Sequence, residues 1–234
     1  MISTMPDTSF FTTLKNRGLI RIEGKDAHDF LQSLITNDMH NLGVDNILYA
    51  CLLTPQGKFL FDFFVHKSED AYLLDCEGGA RAQDLYKRLS MYRLRADVQI
   101  SSEDNIAVYA CFGPNAPGLP DPRHTDLGKR SFQKPDHCAE RPFEEWDKRR
   151  IALEIPDGSR DLVINKSTMD EAHMDQINAI SYDKGCYIGQ ELTARMHYRG
   201  LGKKHLKMVR LSDVPDRAEL RSQCGDIGLA LVRD

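Results

Sequence analysis

The chain has 234 residues, 41% hydrophobic and 28% charged, with a formal net charge of -4 and a pI near 6.1. That is the make-up of an ordinary globular protein of one large domain or two smaller ones. The acidic balance argues against direct nucleic-acid binding, which usually brings a basic face and a high pI. No apolar run approaches the ~20 residues of a membrane helix. The six cysteines (Cys51, Cys76, Cys111, Cys138, Cys186 and Cys224) are scattered without close pairs, a reducing-compartment pattern and not a disulfide framework. The first eleven residues lack both a basic segment followed by an apolar core and the arginine-rich look of a transit peptide. The expectation is a cytoplasmic protein with no membrane partner.

Gly18 to Glu23 reads as a strand, turned by Gly24-Lys25, and Asp26 stands where it can cap the next helix. Phe30, Leu31, Leu34 and Ile35 share one face of that helix, which ends near Thr36-Asn37-Asp38. Ile47 to Thr54 and Phe59 to His66 are apolar strands around the turn Pro55-Gln56-Gly57-Lys58. Alternation sends Phe59, Phe61, Phe63 and Val65 one way and Leu60, Asp62, Phe64 and His66 the other. Asp62 is therefore a carboxylate in the middle of an aromatic strand. Burying it unpaired is expensive, so it needs a partner, a ligand or solvent. The plainer alternative is a half-wet strand face with a structural hydrogen bond.

Ala71 to Asp75 reads as a strand and Ala80 to Met91 as a helix, with Ala82, Leu85, Leu89 and Tyr92 at helical spacing. Tyr92 to Ile100 leads into a strand, and Ile106 to Phe112 forms another. Gly113 to Pro122, with four prolines and two glycines, reads as a junction loop. Arg141 to Arg150 is a short helix that feeds Arg150 to Gly158, where Glu154 reads plainly as an exposed strand-end carboxylate. Lys204 to Leu211 and Ile227 to Val232 are strands. Arg195, His197, Arg199, Lys203, Lys204, His205, Lys207 and Arg210 form a basic stretch in an acidic chain. It suits an anionic ligand tail or an acidic partner, or is an ordinary solvated face.

The densest local signal is Lys184-Gly185-Cys186-Tyr187-Ile188-Gly189-Gln190-Glu191. Two glycines bracket a cysteine and an aromatic, and a helix-forming run begins at about Gly189 or Gln190. A thiol beside a lysine and just ahead of a helix can have its pKa drawn from ~8.5 toward ~3.5–7.5. A buried structural cysteine in a tight turn is the ordinary alternative. The stretch is not a P-loop and has no second nearby cysteine.

This octapeptide resembles the signature of the YgfZ/GcvT-like folate-binding family, which includes the glycine cleavage T-protein and folate-dependent iron–sulfur cluster assembly factors. The string from Gly24 to Asp38 is similar to the N-terminal signature of the same family, about 150 residues earlier and in the expected order. The resemblance implies an α+β fold of antiparallel sheets flanked by helices around a central folate-sized cavity. It implies an N-terminal α/β portion over 1–112, a second over 113–202 carrying the motif, and an abbreviated β segment over 203–234. It also implies tetrahydrofolate or a derivative as ligand. Cys186 and Asp62 would then be the working groups, with Asp62, Glu154, Glu171, Lys184, Tyr187, Gln190 and Arg195 on the folate. Glu171 stands thirteen residues before Lys184, where relatives carry a glutamate; a carboxylate suits a pterin because its two oxygens accept paired N–H bonds. Relatives often have a proline shortly before it, absent here, and Asp170 competes for the role.

Three functions follow from the resemblance. The first is a tetrahydrofolate-binding protein that supports assembly or repair of iron–sulfur enzymes, with Cys186 as functional thiol and client or assembly proteins as partners. The second is a folate-dependent aminomethyltransferase, in which Asp62 would do acid–base work. The third is a non-catalytic folate scaffold. The Lys-Gly-Cys-Tyr form, the chain length and the single acid at Asp62, preceded by Phe61, favour the first. The cysteine spacing predicts no metal site and no permanently bound cluster.

Overall fold

The computed structural model describes residues 9–103, 106–136, 138–200 and 202–233. In chain order the regular elements are β1 (Phe10–Thr13), β2 (Arg17–Glu23), α1 (Ala27–Leu34), β3 (Leu48–Leu53), β4 (Phe59–Lys67), β5 (Ala71–Glu77) and α2 (Ala80–Arg93). They continue with β6 (Gln99–Ser102), β7 (Tyr109–Phe112), β8 (Leu119–Pro120), β9 (Lys129–Ser131), β10 (Ala139–Glu140), α3 (Phe143–Ala152), α4 (Gln190–Arg199), β11 (Lys204–Arg210), β12 (Glu219–Cys224) and β13 (Ile227–Arg233). The strands form three sheets: β3-β4-β5-β2-β6, β10-β1-β7-β9-β8 and β11-β13-β12. All pairings are antiparallel except β1 with β10. This is the expected α+β class. The second sheet takes strands from both sides of residue 113, and the junction loop contributes β8.

Helix α1 forms because Ala27, Phe30, Leu31 and Leu34 make one buried stripe. Asp26 does not cap it. Its carboxylate accepts instead from the Asp97 backbone N–H at 2.8 Å, tying the helix entrance to the segment that leads into β6. The helix stops where Ile35 turns extended and bridges Leu52 of β3.

The face assignment along β4 needs one correction. Register runs Leu52 opposite Phe61 but Leu53 opposite Phe59, so Leu60 is an extra residue on β4. A bulge of this kind reverses the facing of everything before it. Leu60 therefore packs with Phe61, Phe63 and Val65 under α1 and α2. Phe59 crosses to the other face, packing with Phe64, Tyr49, Cys51 and the 162–187 segment.

His66 near the end of β4 is 8% exposed. Its ring lies 4.5 Å from that of Phe132, and Nε2 has no hydrogen-bond partner among the described residues. Burial, with Arg130 and Arg17 nearby against Asp75 and Asp121, pushes its pKa down to about 4. The unfolded chain takes up this proton near pH 6.5 and the folded chain only near 4. The stability that this neutral ring contributes is thus present above pH 6.5 and lost as pH falls to about 4. In urea titrations at several pH values, His66→Phe should show a shallower loss between pH 6.5 and 4 than the unmodified protein.

Candidate functional site

The motif turn is fastened to the N-terminal signature. Lys184 is buried, and its ammonium donates to the backbone carbonyls of Gln32, Ile35 and Asn37 at 2.8, 2.7 and 2.7 Å. These lie at and just beyond the last turn of α1, where helix carbonyls lack intrahelical partners and a positive charge meets the negative end of the dipole. Three donors meet three acceptors. Neighbouring bonds complete the join. Thr36 donates its hydroxyl to Ala179 O at 2.6 Å and accepts the Ser181 N–H at 3.0 Å through its carbonyl. Asn37 donates to Tyr49 O and Asn178 O. The two sequence signatures, about 150 residues apart, are thus one structural unit.

A second join is made by glycines. Gly57, in the β3–β4 turn, and Gly189, at the entrance of α4, both have positive φ. A side chain on Gly189 would come 2.6 Å from Thr54 O and 2.9 Å from Gly57 Cα; one on Gly57 would come 2.9 Å from Gly189 O. The hairpin turn and the motif turn approach backbone to backbone, which only glycine permits. Between these anchors Cys186 is exposed. Tyr187, the next residue, turns inward, packs with Cys51 and Phe59 and leaves its hydroxyl unpartnered among the described residues. Burial pushes that phenol up to about 12. Gln190 is the first residue of α4, and Arg195 on the same helix is exposed.

Asp62 sits on the inner face of the first sheet, 3% exposed. Tyr49 donates to its Oδ2 at 2.8 Å. It is surrounded by buried ion pairs but belongs to none within salt-bridge distance. Arg17 pairs with Asp75 at 2.7 Å and lies 3.8 Å from Asp157. Arg130 also pairs with Asp75, and reaches Asp121, which binds Arg123 at 2.9 Å. The three guanidiniums gather over the Phe64 ring, Arg130 at 3.7 Å. Burial raises the Asp62 pKa, opposed by Arg17 and the Tyr49 hydrogen bond, while cations hold Asp75 and Asp121 below the usual carboxylate range. Among these three carboxyls Asp62 is the one disposed to hold a proton. Gly158 closes over it: a side chain there would come 3.0 Å from both Asp62 Oδ1 and Glu77 Oε2.

The remaining expected ligands are placed elsewhere. Glu154, with φ +60, accepts the Met208 N–H of β11 at 2.9 Å and so anchors the C-terminal sheet. Glu171 accepts the Thr168 N–H at 3.3 Å and lines a groove of about 250 Å³ with Thr168, Asp170, Met196, Lys203 and Lys204. Asp170 contacts His205 at 3.3 Å. The structure therefore brings Lys184, Tyr187 and Cys186 together with α1 and the hairpin, keeps Asp62 inside, and sets Glu154, Glu171 and Arg195 apart. The arginines around Asp62 escaped sequence reasoning, because no periodicity marks a charged residue as buried. The Asp157-Gly158 pair, ending a run of apolar residues, was the nearest available signal.

This fold and this motif unit define a class. The GCVT N-terminal domain model matches residues 11–132, and the chain belongs to that family. Its relatives include the protein named Iron-sulfur cluster assembly factor IBA57, mitochondrial, of Homo sapiens, 31% identical over 86% of this chain and 66% of its own length. The Mus musculus protein of the same name is 30% identical over 94% of this chain and 76% of its own. A Neurospora crassa homolog is 28% identical over 88% and 54%. The chain thus spans between about half and three quarters of the length of these relatives. Among solved structures, the glycine cleavage system aminomethyltransferase T from Bartonella henselae superposes with a TM-score of 0.72 over 97% of this chain and 79% of its own, at 14% identity. That likeness establishes the shared fold. The expectation of a cytoplasmic protein is corrected by the relatives, whose names place them in mitochondria. The leaderless look of the first eleven residues was not a sound basis for a compartment.

Proposed function

We propose that this chain is a tetrahydrofolate-binding factor supporting the assembly or repair of iron–sulfur enzymes, with Cys186 as the thiol that meets the partner. The observation that carries the reading is an exposed cysteine held on a turn pinned at both ends, by Lys184 to α1 and by Gly189 to Gly57. A rigid turn with an accessible sulfur is a site built for contact. The family match and the relatives' names support the assembly role.

Asp62 suits the folate by its chemistry. A buried carboxyl outside any ion pair, its pKa raised by burial, can accept a ring N–H or hold a proton against a ring nitrogen. Tetrahydrofolate, when bound, supplies nitrogens that carry a one-carbon unit. Tyr49 orients the carboxyl, and Arg17 opposes the rise that burial gives its pKa. Asp62 does not line the groove beside Glu171.

Calorimetric titration with reduced folates tests both parts. Binding should be saturable, weakened at least about tenfold in Asp62→Ala and unchanged in Cys186→Ser, while Cys186→Ser abolishes support of iron–sulfur enzyme activity in cells. Full complementation by Cys186→Ser would end the thiol assignment. The buried Asp62 carboxyl, outside any ion pair, is also the observation that favours the second reading, an aminomethyltransferase. Tetrahydrofolate-dependent release of ammonia from an aminomethylated carrier protein, lost in Asp62→Asn, would replace the first reading with that one.

A further inference from the structure

The stretch from Arg195 to Arg210 carries six of the chain's 31 lysines and arginines and none of its 35 acids. Folding gathers part of this charge on one face. Arg195, Tyr198 and Arg199 stand at i, i+3 and i+4 on α4, on one side of the helix, and all three are exposed, Tyr198 to 70%. Lys203 is exposed and lines a groove shared with Met196 of α4, so the entry to β11 lies beside the helix. Other exposed basic groups of the stretch are paired, Lys204 with Glu219 at 3.3 Å and Arg210 with Asp226 at 3.4 Å. Arg195, Arg199 and Lys203 have no ion-pair partner among the described residues.

Tyr198 is exposed but held. Its ring meets that of His197 edge-on at 5.0 Å and that of Tyr182 at 5.9 Å, and Tyr182 stacks on His197 at 3.9 Å. An aromatic fixed before binding loses little entropy on contact. A tyrosine flanked by two arginines is the composition of interface hot spots. The unpaired cations add attraction for an oppositely charged surface. A nucleic acid fits less well, because its affinity grows with the number of phosphates neutralised and this face offers only the three unpaired cations named above.

We propose that the α4 face of Arg195, Tyr198, Arg199 and Lys203 is a docking surface for an acidic protein. Helix α4 begins four residues after Cys186 and has ten residues, about 15 Å of axis, so one partner of ordinary footprint covers both the patch and the thiol turn. What the partner receives from Cys186 rests on the function proposed above; the docking does not.

The test uses the full chain and a fluorescently labelled random copolymer of glutamate and tyrosine, followed by anisotropy. The copolymer should bind with an affinity that falls as salt rises. Reversing three charges (Arg195→Glu, Arg199→Glu, Lys203→Glu) should weaken it about tenfold or more. Tyr198→Ala should weaken it about threefold with the salt dependence kept. Circular dichroism checks that the variants fold. No copolymer binding, or equal binding by the charge-reversed protein, overturns the proposal. So does tighter binding of oligodeoxythymidylate, or of vesicles of phosphatidylcholine and phosphatidylglycerol. The measurement is made without folate and in a Cys186→Ser background. Copolymer binding retained by a protein that fails the folate titration would sink only the earlier reading.

Discussion

Replacing Arg150 with methionine is expected to remove about 3–5 kcal/mol of stability, the loss typical of breaking one side of a buried charge network. Arg150 is fully buried. Its guanidinium binds Asp147 and Asp161 at 2.6 Å each, donates to Ile155 O at 3.1 Å and donates to the Ser222 hydroxyl at 2.9 Å. Those partners lie on α3, on the segment after it, and on β12 of the third sheet. One side chain thus joins the C-terminal sheet to the body of the protein. Ser222 in turn donates to Asp161 at 2.5 Å. In the variant Asp147 keeps Arg160, but Asp161 is left with a hydroxyl and the Asp157 N–H. Burial already raises the Asp161 carboxyl pKa, and Arg150 is the main force lowering it. Without that force the folded-state value rises further above the unfolded one, so the variant regains stability as pH falls and its carboxyl is neutralised. Urea titrations should therefore show a larger deficit at pH 7.5 than at pH 5. Adding Asp161→Asn should recover part of it. A deficit under about 1 kcal/mol would mean that the network is not what holds the third sheet in place.

What the sequence made legible was local and apolar. The stripe of α1, the hairpin around Pro55 to Lys58, and the start of α4 all follow from spacing and turn chemistry, and all form near the expected positions. Gly57 and Gly189 could each be read as turn residues, but nothing along the chain says that the two turns touch. Leu60 illustrates a second limit. Strict alternation cannot anticipate a bulge, and one extra residue moved Phe59 to the opposite core. Strand β12, written Glu-Leu-Arg-Ser-Gln-Cys, went unread because its residues are mostly polar and it is stabilised by α3 and β13, not by its own pattern. The polar centre was the least legible part. Asp62 stood out because an aromatic strand surrounds it, whereas Arg17 and Arg130 sit in ordinary polar contexts and find their partner, Asp75, on a different strand, and Arg123 is held by Asp121 two residues before it.

Lys184 is the position where the fold and the proposed thiol turn are most tightly joined, and Lys184→Met should lose about 2–4 kcal/mol. The variant leaves three carbonyls at the end of α1 without their donor. Methionine fills much the same volume, so lost hydrogen bonding and not a cavity sets the result. Arginine should not rescue, because a planar fork cannot serve three carbonyls placed around one nitrogen. Burial, opposed by Asp38, lowers the Lys184 pKa to about 8. The folded chain then releases this proton near pH 8 and the unfolded chain near 10.5, so the contribution of the group to stability rises with pH across that window. The gap between the unmodified protein and Lys184→Met should widen from pH 8 to 10.5, a dependence that simple misfolding of the variant would not produce. The functional consequence is separate. With the staple gone, the turn is held by Gly189 alone, and Cys186, though still exposed, is no longer presented in one orientation. Alkylation of Cys186 by iodoacetamide should proceed at a rate within about twofold of the unmodified protein, while support of iron–sulfur enzymes falls to the level of Cys186→Ser. If support survives in a variant whose stability has dropped as expected, accessibility of the sulfur suffices and the rigid turn serves folding alone.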